Sequence, residues 1–148
     1  MGDSNKGTLC LPDNQHPVQP GTACDVVGWG DLSYRGGTPK TLQHVQLPIV
    51  SLEECNTPKV YNGKVNELNL CAGFSQGGKG ACHGDSGGAL TCEREGRHYA
   101  EGIVYGGFEC ARPNAYELFT DVAKMKAWIV KTIVNIKGRR CSGIKRCL

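Results

Sequence analysis

Gly80-Ala81-Cys82-His83-Gly84-Asp85-Ser86-Gly87-Gly88-Ala89-Leu90 is the stretch around which the rest of this sequence organises itself. A serine acts as a nucleophile only where its Oγ stands clear of the backbone and nearby N–H groups can hold a developing oxyanion. Glycines on both sides of Ser86 permit this. Gly84 can turn its own N–H toward a substrate, and Gly87-Gly88 lets the chain approach without a Cβ clash. Asp85 places a charge behind the turn. Taken alone, the same residues also describe a glycine-rich hairpin with an incidental Asp-Ser pair.

Cys82 and Cys92 flank the serine, in a chain of 148 residues that holds nine cysteines. So many cysteines in a reducing compartment would have to bind metal, yet no CxxC pair exists. The closest spacings, Cys82 to Cys92 and Cys141 to Cys147, lack the Cys/His knuckles of a tetrahedral zinc site. No metal and no cofactor is expected. Disulfides in an oxidising, extracellular setting are the better reading. The odd count leaves at least one cysteine to be reactive or to bond a chain outside this one. Residues 1–8 are polar and carry no export signal, and no apolar run is long enough to cross a membrane. The sequence therefore reads as starting inside a longer secreted protein.

Further outward, 39% hydrophobic and 21% charged residues give a globular balance, while 21 glycines and 7 prolines favour many turns and short strands. Residues 1–23 read as linker and loop, with Leu9-Cys10-Leu11-Pro12 the one compact apolar spot. Order is expected from Cys24, with a strand over 24–30 and a surface turn over 31–38. A strand through Leu42, Val45, Leu47 and Ile49 should break at Pro48. Ser51-Leu52-Glu53-Glu54 has the form of a capping box, Ser51 accepting backbone N–H groups and Glu54 reaching back. Further strands are expected at 68–72, 89–93, 99–105 and 116–119. After Asp121, a natural N-cap, Val122, Met125, Ile129 and Ile133 recur at helical spacing with Trp128 on the same side. That helix should lay its stripe, Trp128 included, against the core.

Lys137, Arg139, Arg140, Lys145 and Arg146 crowd a tail without acids, in a chain whose net charge is +3. The tail is either a solvated extension or a surface for an anionic glycan. Motifs for nucleic acid or for cradling phosphate are absent.

Cys-His-Gly-Asp-Ser-Gly-Gly-Ala-Leu resembles the nucleophile motif of chymotrypsin/trypsin-like serine proteases, with Ala89 in place of the usual proline. Gly28-Trp29-Gly30 after Cys24, Leu70-Cys71-Ala72-Gly73, Gly102-Ile103-Val104 and the closing Trp128-Ile129 helix follow in that family's order. The resemblance covers residues 9–134. It implies an all-β, six-stranded antiparallel Greek-key barrel with a C-terminal α-helix, one half of the family's two-barrel fold. The expected division is linker and start of the barrel over 1–23, barrel and closing helix over 24–135, and a basic, cysteine-containing tail over 136–148.

The resemblance also implies disulfides Cys24 with Cys92, Cys55 with Cys71, and Cys82 with Cys110. Cys10 would tether the barrel to a missing N-terminal half or light chain, and Cys141 would close a small loop with Cys147. Ser86 would be the nucleophile, with the N–H groups of Gly84 and Ser86 as the oxyanion hole. Asp85 would pair with the N-terminus released on zymogen cleavage. The family's triad His and Asp lie on the other half, and no Ala-Ala-His-Cys segment occurs here. Of the four histidines, His16, His44 and His98 read as surface residues and His83 as the rim of the substrate pocket. Gly80, Ala81, His83, Gly107 and Glu117 would form that pocket. Gly80 replaces the usual acidic floor, and Glu117 brings an acid from the opposite wall, so the pocket should take Lys or Arg and tolerate Phe or Tyr. Tyr105 and Gly106 depart from the family's Ser-Trp. The expected activity is that of a secreted endopeptidase acting on proteins or peptides, inactive as this piece alone. The alternative is a non-catalytic homologue that binds a partner.

Overall fold

The computed structural model describes residues 7–107 and 109–137. Six strands form β1 (Ala23–Gly28), β2 (Gln43–Val50), β3 (Asn69–Ala72), β4 (Ala89–Arg94), β5 (Arg97–Gly106) and β6 (Glu117–Asp121), with helices α1 (Leu52–Cys55) and α2 (Val122–Lys137). The strands close into a barrel in the order β1-β2-β3-β6-β5-β4, every neighbouring pair antiparallel. The spatial run β4-β1-β2-β3, with the long connection from β3 back to β4, is a Greek key.

Side chains alternate along each strand, so every second residue points inward. Cys24 and Val26, Leu47 and Ile49, Leu90 and Cys92, Val104 and Phe119 thus meet in one buried core. A second cluster of Cys55, Tyr61, Val65, Cys71, Tyr116 and Leu118 lies beneath α1 and the loop that follows it. Three disulfides join Cys24 to Cys92, Cys55 to Cys71, and Cys82 to Cys110. Cys10 is disulfide-bonded as well.

Four local expectations are corrected. The strand does not break at Pro48. β2 runs through it to Val50: Pro48 O accepts the Gly73 N–H at 2.9 Å and Ile49 N–H donates to Thr22 O at 2.8 Å, so backbone bonding continues on both sides, and the missing donor falls one residue before the β2–β3 ladder begins at Ile49. Order begins before Cys24, at the paired and buried segment around Cys10, although most of residues 13–21 are exposed. Cys10 N–H donates to His98 O at 2.8 Å, Ala100 N–H donates to Cys10 O at 3.0 Å, and Pro12 is fully buried. Arg94 holds the segment by donating to the carbonyl of His16, stacking on Tyr99 at 4.2 Å and pairing with Glu101 at 2.8 Å.

Ser51 caps α1, its Oγ accepting the Glu54 N–H at 3.1 Å, but Glu54 does not reach back. Its carboxylate accepts the Tyr116 hydroxyl instead. Helix α2 is capped by Asp121, whose Oδ1 accepts the Lys124 N–H, and it buries Val122 and Ala123 in its first turn. Met125, Ile129 and Ile133 stay half-buried along the expected stripe, but Trp128 is 61% exposed rather than core. The tail beyond residue 137, with Cys141 and Cys147, lies outside the described residues. Among the described residues no helix is long and apolar enough to cross a membrane.

Candidate active site

The Greek-key connection between β3 and β4 carries Gly80–Gly88. Three backbone bonds shape its end: Asp85 N–H to Cys82 O at 3.0 Å, Gly88 N–H to Asp85 O at 2.9 Å, and Gly87 N–H to Val104 O at 3.0 Å. The last bond anchors the turn to β5. Gly84 adopts φ +99°, a conformation costly for any residue with a Cβ, and Ser86 is exposed. Neither Gly84 N–H nor Ser86 N–H takes part in the bonds that fix the turn. Both N–H groups stand outside the backbone bonding of the turn that carries the exposed Ser86.

Behind the turn, Asp85 points inward. Its Oδ1 accepts the Gly30 N–H at 2.9 Å and its Oδ2 accepts the Cys82 N–H at 3.0 Å. The approach depends on glycine, because a Cβ on Gly28 would fall 2.0 Å from Asp85 Oδ1 and one on Gly30 2.4 Å from Oδ2. Gly28-Trp29-Gly30 and the nucleophile turn are therefore shaped to each other.

Ser86 borders a cavity of about 200 Å³ that Ala81, His83, Tyr105, Gly107 and Glu117 also line. Glu117, the first residue of β6, is only 6% exposed, and its Oε1 accepts the Ala111 N–H at 3.1 Å. Gly80 makes room for that carboxylate, since a Cβ there would lie 2.3 Å from Oε1. Gly80 itself lines a neighbouring cavity with Asp85 rather than the Ser86 cavity. Burial pushes the Glu117 carboxyl up to about 7; the Ala111 N–H pulls the other way and the negative charge of Asp85 adds to the rise.

Tyr34 and Tyr61 were not singled out from the sequence. Tyr34 lines the Ser86 cavity, its ring 5.7 Å from that of His83. Tyr61 is buried and donates to Tyr116 O at 2.6 Å; burial first, then the Glu117 charge, raises its phenol to about 12. Both rings sit in irregular loops, where side-chain periodicity carries no signal.

His83 Nδ1 lies 3.9 Å from Cys82 Sγ and 3.8 Å from Cys110 Sγ, and 3.9 Å from Asp31 Oδ2. The two sulfurs are bonded to each other, so this grouping offers no thiolate pair to a metal. His16, His44 and His98 are exposed. His44 Nε2 is 2.7 Å from Asp25 Oδ1, but neither residue lines the Ser86 cavity.

Residues 3–129 match the family model described as Trypsin. The chain is 42% identical over 122 residues to transmembrane protease serine 11E of Mus musculus, covering 82% of this chain and 29% of that protein. It is 38% identical over 133 residues to transmembrane protease serine 11G of Rattus norvegicus, covering 89% of this chain and 32% of that one. Over 122 residues it is 37% identical to the hepatocyte growth factor activator serine proteases of Canis lupus familiaris, covering 82% of this chain and 19% of theirs. The chain thus spans about a third or less of the length of these relatives. With a matching family model over most of its residues and the closed barrel described above, the chain belongs to the trypsin family of serine proteases.

Proposed function

We propose that this chain is the nucleophile-bearing barrel of an extracellular serine endopeptidase that cleaves peptide bonds through an acyl-enzyme on Ser86. The observation that carries the reading is the exposed Ser86 hydroxyl at the edge of a cavity holding the buried Glu117, beside two N–H groups left out of the turn.

In this account a base on the complementary barrel takes the Oγ proton as Oγ bonds to the scissile carbonyl carbon. The N–H groups of Gly84 and Ser86 hold the resulting oxyanion. The C–N bond then breaks, the amine leaves with the proton, and water hydrolyses the Ser86 ester. Alone the chain lacks that base and is inactive, because an unassisted serine hydroxyl is a weak nucleophile. Asp85, now engaged by Gly30 and Cys82 N–H groups, exchanges them for the ammonium of the N-terminus released on activation. Ala81, His83, Gly107 and Glu117 bound the pocket for the side chain before the scissile bond, with Gly80 supplying room for the acid. A buried carboxylate there favours Lys or Arg.

The second reading is a non-catalytic homologue. It is favoured by Tyr105, 67% exposed, and by the irregular pairing between Val104 and Gly106 where β5 borders the cavity. Peptide hydrolysis by the activated full-length protein, compared with Ser86→Ala, decides between them. The enzyme reading expects a loss of about a thousandfold or more in kcat. Hydrolysis that survives Ser86→Ala overturns it, and an activated protein that turns over no peptide supports the homologue.

A further inference from the structure

Among the described residues that line the Ser86 cavity there is no lysine or arginine, so the buried Glu117 carboxylate faces it without a cationic partner. One oxygen is held by the Ala111 N–H; the other lies toward Gly107, where an added Cβ would come within 3.4 Å. Ala81, Val104 and the glycines give the cavity an apolar part, while Tyr34, His83, Tyr105 and Glu109 supply its polar edge. A buried charge without a partner is costly, and the group lowers that cost either by pairing or by taking a proton. The cavity can satisfy Glu117 by admitting a cation, or leave it neutral and present an apolar interior.

Resting on the reading of Ser86 as nucleophile, we propose that Glu117 makes this pocket a charge-dependent selector. Ionised, it admits a cationic side chain, Lys or Arg; protonated, it admits a neutral one such as Phe. The two classes of substrate therefore exchange rank with pH rather than being served by separate sites. The groups that face Glu117 are Asp85 from the β3–β4 connection, Tyr61 from the loop after α1, Tyr105 from β5, Glu109 from the β5–β6 connection, and His83 at the rim. The negative charge of Asp85 opposes ionisation of Glu117, and a cation at the His83 ring would favour it. The carboxyl's position near 7 places the exchange around neutrality.

The test is kcat/KM for two peptides differing only in Lys or Phe before the scissile bond, hydrolysed by the activated full-length protein. Titration of the catalytic base affects both peptides and cancels in their ratio. With a carboxyl near 7 the ionised fraction rises about thirtyfold between about pH 5.5 and about pH 8.5, so the Lys:Phe ratio should rise by at least about thirtyfold. Glu117→Gln keeps shape and removes the charge, so it should flatten the profile; Glu117→Asp should retain a rise. A ratio constant within about twofold in the wild type, or a rise that survives Glu117→Gln and so belongs to His83, overturns the proposal. An aryl amidine cation gives a readout that needs no turnover. Its affinity for the Ser86→Ala protein should weaken as pH falls through neutrality and lose that dependence when Glu117→Gln is added. If neither peptide is cleaved, the nucleophile reading fails and amidine binding alone decides the selector: affinity independent of pH refutes it.

Discussion

Replacing Glu117 with Gln should change how the stability of this barrel depends on pH. Glu117 holds its proton more tightly folded, near 7, than its ordinary value of 4.5, because burial disfavours the carboxylate. Between those two values the folded chain binds more protons than the unfolded one, so stability falls as pH rises. The contribution is fully present below about 4.5 and is lost once the pH passes the folded value. At about 1.4 kcal/mol per pH unit, the gap between 4.5 and about 7 amounts to roughly 3 kcal/mol. Glutamine cannot ionise, and its carbonyl can still accept the Ala111 N–H. Denaturant unfolding of the intact protein and of Glu117→Gln at about pH 4 and about pH 8.5 reads the effect. From acid to alkaline pH, the variant should gain about 3 kcal/mol on the wild type. Any fixed cost of the amide shifts both points equally and leaves that difference intact. Parallel profiles, or a variant that loses ground as pH rises, would refute the reasoning.

Two further outcomes follow from the packing around Ser86. Gly30→Ala puts a Cβ 2.4 Å from Asp85 Oδ2, so the intact protein should lose about 1–3 kcal/mol in denaturant unfolding; an unchanged midpoint refutes the close approach. Removing the Cys82–Cys110 bond by paired serine substitutions frees a link spanning 28 residues and should cost about 3 kcal/mol, read as a fall in Tm; an unchanged Tm counts against this bond as a staple of the loop.

The features legible in the sequence are those governed by short-range rules. The apolar runs marked strands near 24–30, 42–49, 68–72, 89–93, 99–105 and 116–119, and the glycines around Ser86 marked a turn that exposes a hydroxyl. The barrel and its helix followed from the resemblance those segments carry. Long-range geometry decided the rest. Pro48 is accommodated because it stands one residue before the ladder to β3 begins, while its carbonyl still accepts the Gly73 N–H, which local propensity cannot show. Residues 9–12 are ordered by pairing beside Tyr99, distant in sequence. Helical period placed Met125, Ile129 and Ile133 on the half-buried side of α2, but Trp128, at the edge of that stripe, is exposed. Glu54 left its expected cap for the Tyr116 hydroxyl, a partner supplied by the fold. Glu117 was named from its place in the family pattern, while its depth and its bond to Ala111 needed the structure.

The most direct measurement of the central claim is covalent labelling of the activated full-length protein with a fluorophosphonate probe, followed by mass mapping of the modified residue. A single adduct on the Ser86 Oγ is expected, absent from Ser86→Ala and from protein that has not been activated. No adduct after verified activation, or an adduct on another residue that persists in Ser86→Ala, would contradict the claim.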